Sequence, residues 1–210
     1  HTAAVYGVNV GSGRAAVIDI GGGSMEITLG TGSGVQLARS FKLGVTRMTE
    51  RFVRTDPVTS REERRIADCV TAEIRDYAAQ VAAAGFDRVI GTSGTILNLG
   101  GMAAGLERGD APRELRSLSV PARQIRRLRK ELVQTTLEER LALPGMDARR
   151  SDLIVTGAIV LDTTLRLLGA SELTLCDLAL REGLVIDYIR RHRREIAQAE
   201  GKKEQIIDKI

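Results

Sequence analysis

The residues best placed to do chemistry cluster at Asp19-Ile20-Gly21-Gly22-Gly23-Ser24-Met25-Glu26. The apolar run 17–20 carries Asp19 to the edge of a glycine turn, where backbone N–H groups can converge on an anion with no Cβ in the way. Ser24 adds a hydroxyl donor. A bare phosphate site would not favour two nearby negative charges. Asp19 and Glu26 beside such a turn therefore suggest carboxylates that hold a metal or move a proton. A glycine-rich hairpin kept for steric reasons would need neither. A second segment, Gly91-Thr92-Ser93-Gly94-Thr95, puts small residues and hydroxyls where a strand gives way to a helix, whose N-terminal amides favour an oxyanion. Either loop alone is a weak signal. Together, each after a strand of buried character, they point to a ligand with several phosphates. Arg47, just after the third strand, is a candidate anion contact, set against the plainer reading of a solvated arginine.

The apolar pattern supplies the elements that must carry these loops. Runs 15–20, 25–29 and 35–41, separated by glycine clusters, predict a three-stranded antiparallel meander, its turns relying on glycine's tolerance of positive φ. Ser60 with Glu63 predicts a capping box, and Ile66, Val70, Ile74, Tyr77 and Val81 then recur at spacings of three and four up to Gly85, a long amphipathic helix. Residues 88–91 read as a short buried strand leading into a helix. Pro121 fits a first helical position, with Ile125, Leu128 and Leu132 forming the stripe and Pro144-Gly145 breaking the run. A helix over 151–168, a strand over 172–175 and a helix from about Ala179 complete the chain. This order matches the ribonuclease-H-like half-domain from which actin-type folds are built by duplication. The expected class is α/β, a mixed sheet whose antiparallel meander is flanked by helices. No second copy of the strand-and-loop pattern occurs in the 210 residues. The expectation is one actin-like domain over 1–189 and a basic helical extension over 190–210.

Four blocks in order make the pattern specific. Residues 19–26, Ser40-Phe41-Lys42-Leu43-Gly44-Val45-Thr46-Arg47, residues 91–96 and Asp177-Leu178-Ala179-Leu180-Arg181-Glu182-Gly183-Leu184 resemble motifs of the exopolyphosphatase / guanosine pentaphosphate phosphohydrolase (Ppx/GppA) family. The resemblance implies the second of two actin-like domains that share a cleft. It implies hydrolysis of terminal phosphoanhydride bonds of inorganic polyphosphate or guanosine pentaphosphate, usually with Mg2+. On the same basis Gly21, Gly22, Gly23 and Ser24, with Ser93, Gly94 and Thr95, would hold phosphoryl groups. Asp19 and Glu26 would be the catalytic carboxylates, positioning the metal or the attacking water. Phosphoryl transfer needs neutralised oxygens and an aligned nucleophile, which such a set can provide. Two positions depart from the family: Met25 stands where a small polar residue is usual, and Leu178 where glycine is frequent. The family's first domain brings its own phosphate loop and an acidic base just before a segment resembling residues 3–8. Because the sequence opens at His1-Thr2, the chain is expected to lack that acid and to be inactive without its partner domain.

Composition excludes several other classes. The formal charge of +4 suits an anionic ligand without diagnosing one. Cys69 and Cys176 lie far apart and offer no zinc spacing. Aromatic residues make up 3% with no tryptophan, so a base-stacking platform for nucleic acid is not expected. Neither a membrane span nor a signal-peptide pattern occurs, so a cytoplasmic protein is expected. The runner-up function is a non-catalytic module that senses polyphosphate or an alarmone through the same loops. A kinase-like or chaperone-like nucleotide domain ranks last, for want of a purine pocket. Substrate identity and oligomeric state, a homodimer included, stay open.

Overall fold

β1 (Ala15–Ile20) is buried along nearly its whole length, a state that only a strand covered on both faces can reach. It pairs antiparallel with β2 (Met25–Thr31), which pairs antiparallel with β3 (Gly34–Phe41). On its other side β1 runs parallel to β4 (Arg88–Thr92), and β4 parallel to β6 (Glu172–Leu175). The edge strand β5 (Ser119–Pro121) is antiparallel to β6, which gives a six-stranded mixed sheet in the order β3-β2-β1-β4-β6-β5. The computed structural model describes residues 1–106, 112, 114–178 and 180–193. Ala179 and the greater part of the basic extension, 194–210, lie outside them.

The strand period of two assigns the faces. Ile18 and Ile20 of β1 and Met25, Ile27 and Leu29 of β2 point into the main core, shared with α3 (Ser60–Ala84), α4 (Gly94–Gly105), α5 (Ala122–Leu132) and α7 (Ile154–Leu168). Ala15 and Val17, with Ile90 of β4 and Cys176, face the other way onto Ala4, Val5 and Val8 of α1 (Thr2–Val8). Helix α8 (Leu180–Arg191) packs on α1. The helices of the main core are also tied ionically. Asp162, buried on α7, forms an ion pair with Arg129 of α5 at 3.0 Å, and Arg129 also pairs with Glu63 of α3.

Four features differ from the sequence expectations. The capping box of α3 is Thr59 with Glu62, one residue earlier than Ser60 with Glu63. Glu62 is drawn there because Thr55 and the Arg54 amide also converge on its carboxylate, at 2.6 and 2.7 Å, while Glu63 is claimed by Arg129. Pro121 ends β5 at the N-cap of α5 rather than opening the helix, an edge-strand place where a missing N–H costs nothing. None of the meander-turn glycines takes a left-handed φ; among the described residues the glycines with positive φ are Gly11, Gly85, Gly145 and Gly169. At Gly30 the requirement is closeness, since a Cβ would lie 2.9 Å from the Val35 Cα. Finally α1, β5, α2 (Val45–Phe52) and a 3-10 turn (Ala148–Arg150) had no sequence counterpart, while the helical run expected from Pro121 to Pro144 divides into α5 and α6 (Leu137–Leu141).

Candidate phosphate-binding site

The glycine turn is shaped by α2. The amides of Val45 and Thr46 donate to the carbonyls of Gly21 and Gly22 at 2.9 and 3.0 Å, and Arg47 N–H reaches the Gly22 carbonyl at 3.2 Å. These bonds draw the turn's carbonyls toward the helix. The amides of Gly22 and Gly23 have no acceptor among the described residues and remain available to an anion. Gly44 makes this approach possible: a Cβ there would fall well under 3.0 Å from Ser24 N and from the carbonyl group of Gly22.

The second loop docks on the first. Ser93, the N-cap of α4, is held at φ 87°, an uncommon conformation for a non-glycine residue that costs about 1–3 kcal/mol. Its hydroxyl donates to the Ile20 carbonyl at 3.0 Å. Ser93 thus ties the end of β1 to the start of α4, and its hydroxyl is engaged with backbone. The first amides of α4 have no partner within the helix, so its positive end faces the same opening. A cavity of about 290 Å³ is lined by Gly21, Gly22, Thr46, Ser93, Gly94 and Thr95, and Arg149 and Arg150 close it. Gly23 and Ser24 complete the turn beyond that lining. Arg150 lies against Gly94 so closely that a Cβ on that glycine would sit 2.5 Å from the guanidinium carbon.

Asp19 and Glu26 face elsewhere. They are directly opposite in the β1–β2 register, with Thr92 beside Asp19 across the parallel ladder, so the two carboxylates leave one face of the sheet together. That is the α1–α8 face. Asp19 opens there on a cavity of about 370 Å³ with Thr92, Leu178, Asp187 and Arg191. Burial and then the neighbouring Glu26 carboxylate push the Asp19 pKa up, while the N-terminal ammonium pulls it the other way. Glu26 accepts from Ser40 at 2.6 Å. Among the described residues no three His, Cys, Asp or Glu side chains gather at a metal-binding distance. The Asp19–Glu26 pair is nonetheless an oxygen donor set that suits a hard cation retaining most of its water, and a divalent charge would relieve the like-charge repulsion. Both cavities lie at the carboxyl end of β1 and β4, where open sheets gather ligands. The strand's alternation puts the glycine-turn amides on one side of that edge and the carboxylates on the other.

Arg47 does not line the glycine cavity; its Nε–H donates to the Gly23 carbonyl at 3.0 Å and braces the turn from outside. Sequence reasoning missed Thr46, Arg149 and Arg150. The apolar spacing of Val45, Met48 and Phe52 could have signalled α2, and a pair of arginines between the breaker Pro144-Gly145 and a helix could have marked an anion contact. Met25, the departure from the family pattern, is fully buried, its sulfur 3.5 Å from the Thr164 hydroxyl, which donates to the Val160 carbonyl at 2.8 Å.

Comparison with known proteins gives a consistent result. Residues 2–192 match the Ppx/GppA phosphatase family. The chain is 32% identical over 176 residues to "Exopolyphosphatase 1" of Mycobacterium leprae, covering 83% of this chain and 51% of that protein. It is 27% identical over 191 residues to a guanosine-5'-triphosphate,3'-diphosphate pyrophosphatase of Vibrio atlanticus, covering 90% of this chain and 36% of the other. Among solved structures, the Aquifex aeolicus PPX-GPPA enzyme superposes with a TM-score of 0.77 at 26% identity, over 89% of this chain and 60% of that one. An exopolyphosphatase from Cytophaga hutchinsonii superposes with a TM-score of 0.75 at 26% identity, over 85% and 58%. The chain spans about half the length, or less, of these curated relatives.

Proposed function

The chain belongs to the Ppx/GppA phosphatase family, and from that footing we propose that it forms one wall of a cleft hydrolysing the terminal phosphoanhydride bond of inorganic polyphosphate or guanosine pentaphosphate. The observation that carries this reading is one cavity shared by the two loops, lined by Gly22 with its unpartnered amide, by the first residues of α4 and by Arg150. Donors fixed by the backbone are already oriented when charge develops on the phosphoryl oxygens, which is where phosphoryl transfer gains most. Arg150 adds a planar cation suited to two phosphate oxygens at once. Asp19 and Glu26 would hold Mg2+, which when bound supplies charge neutralisation to the phosphoryl group. Asp19, its basicity raised by burial, is the carboxylate suited to accept a proton at its oxygen from an attacking water. The opposite wall, with its own phosphate loop and the principal base, would come from a further actin-like domain, and the chain by itself would turn over slowly or not at all.

Two measurements test this. Calorimetry of the chain with tripolyphosphate and Mg2+ should show binding that Gly22→Val removes. A polypeptide extended to the full length of the relatives should release phosphate from polyphosphate and lose that activity on Glu26→Gln. Binding without turnover in the extended protein would refute the hydrolase and favour a phosphate-polymer sensor.

A further inference from the structure

We propose a second anion subsite outside the cavity, built by Arg51 and Arg65 on the Phe52 ring with Arg47 at its cavity end, which takes the distal part of a linear polyphosphate longer than the cavity holds. The inference rests on the cavity's assignment as a phosphate site and extends it along the surface. Arg47 and Arg51 are one turn apart on α2, so they project from the same side, about 6 Å along the helix. Arg47 is held at the glycine turn by its bond to Gly23, which starts the row at the cavity's edge. Next come Arg51 and, from α3, Arg65, with guanidinium carbons 4.9 and 5.3 Å from the centroid of the same Phe52 ring. Phe52 is buried while the three arginines are exposed, so the ring is a fixed base for mobile cations.

The charges on this side are unspent. Arg47, Arg51 and Arg65 make no ion pair among the described residues; the Arg51 guanidinium has only the Cys69 sulfur, at 3.8 Å. The exposed carboxylates nearby in sequence, Glu50, Asp68 and Glu73, pair with none of them. Across the cavity the situation is reversed. Arg149 and Arg150 both pair with Asp147, at 3.0 and 3.2 Å. A phosphate chain leaving the cavity therefore meets two arginines that share one carboxylate on one side and arginines with no ion pair among the described residues on the other. Two guanidinium groups on one ring lie within about 10 Å of each other, near one Debye length at 0.1 M salt, so they repel until an anion bridges them. Arginine rather than lysine is suited to that bridge, because its planar fork binds phosphate oxygens in pairs and stacks on an aromatic face.

The test compares short and long ligands. Calorimetry with tripolyphosphate and with a long linear polyphosphate should be run on the unaltered chain and on Arg51→Gln/Arg65→Gln, with the melting temperature confirming that the variant is folded. The double variant should bind the long chain about tenfold or more weakly and keep its affinity for tripolyphosphate. Its salt dependence should flatten by a slope of about 1.4, since each arginine that neutralises a phosphate on a single-stranded polyanion adds about 0.7. Unchanged long-chain affinity would overturn the proposal, and so would an equal loss for both ligands, which would place the effect in the cavity. Competition by single-stranded RNA as strong as by polyphosphate would overturn the assignment to a phosphate chain. If tripolyphosphate fails to bind the unaltered chain, the cavity assignment falls by itself; long-chain binding that still weakens in the double variant would keep the arginine subsite.

Discussion

Gly44→Ala should dismantle the phosphate turn although it adds a single methyl group. Gly44 sits at φ −66° and ψ 152°, a conformation open to any residue, so the substitution brings no backbone strain of its own. Its cost is steric. The new Cβ would lie well under 3.0 Å from Ser24 N and from the Gly22 carbonyl group, all main-chain atoms that no rotamer change can move aside. Either α2 retreats or the turn does. Both movements break or stretch the bonds from Val45 to Gly21 and from Thr46 and Arg47 to Gly22, now 2.9, 3.0 and 3.2 Å. At about 1 kcal/mol net for each, the destabilisation approaches 3 kcal/mol, which matches the 1–3 kcal/mol typical of overpacking. For a chain of this size that is a fall in Tm of roughly 6–12 °C. Urea and thermal unfolding measure the stability, and tripolyphosphate calorimetry should show weakened binding in the folded variant. Gly23→Ala is the control: a Cβ there meets nothing within 4 Å, so stability should stay within about 0.5 kcal/mol. A Gly44→Ala protein equally close to wild type would refute the claim that close approach, rather than glycine flexibility, builds the turn.

Other expectations follow from the same geometry. Arg150→Met should weaken tripolyphosphate binding by about ten- to a hundredfold, the range for a charge-assisted hydrogen bond of about 1.5–3 kcal/mol, and unaltered calorimetry would remove Arg150 from the site. Asp19→Asn should raise the Tm at neutral pH. The Asp19 pKa is raised in the fold, so its favourable contribution is complete below the unfolded value of 3.8 and is lost as pH climbs through the higher folded value. The gain should therefore vanish toward pH 4, and a lower Tm at pH 7 would contradict it. Glu62 behaves oppositely. Burial opposes its ionisation, but bonds from the Thr55 and Thr59 hydroxyls and from the Thr59 and Arg54 amides outweigh that and hold its pKa down to about 2. Glu62→Gln should cost about 1–2 kcal/mol at neutral pH, and the difference from wild type should shrink as pH falls from 4.5 toward 2. A difference independent of pH would show that the cap acts through shape alone.

Much of the fold was legible because its signals are local. The strands β1 to β4 announce themselves by short apolar runs between glycines, and α3 by apolar residues every three or four positions, since burial on one face imposes the period of the element itself. The glycine turn and its flanking carboxylates were legible for the same reason: the chemistry sits in consecutive residues. The capping box shows where local reading stops. Thr59 with Glu62 and Ser60 with Glu63 fit the same spacing, and the choice between them is made by Thr55, Arg54 and the distant Arg129. The glycines of the turn were expected to serve positive φ, yet none adopts it; the glycine that close packing requires is Gly44, at the N-cap of α2, an element from beyond the meander. Arg150 illustrates the limit most sharply. The Arg149-Arg150 pair after the breaker Pro144-Gly145 hints at an anion contact but names no partner loop; Arg150 reaches Gly94 because α7 packs against α3 and α4 and brings the preceding turn to the mouth of the cavity. Sequence by itself determined which backbone could cradle an anion and which carboxylates stood near it. The division of those groups between the two faces of one strand end, and the arginines that line the candidate site, were decided by tertiary packing, because strand alternation and helix docking act on residues that share no local pattern.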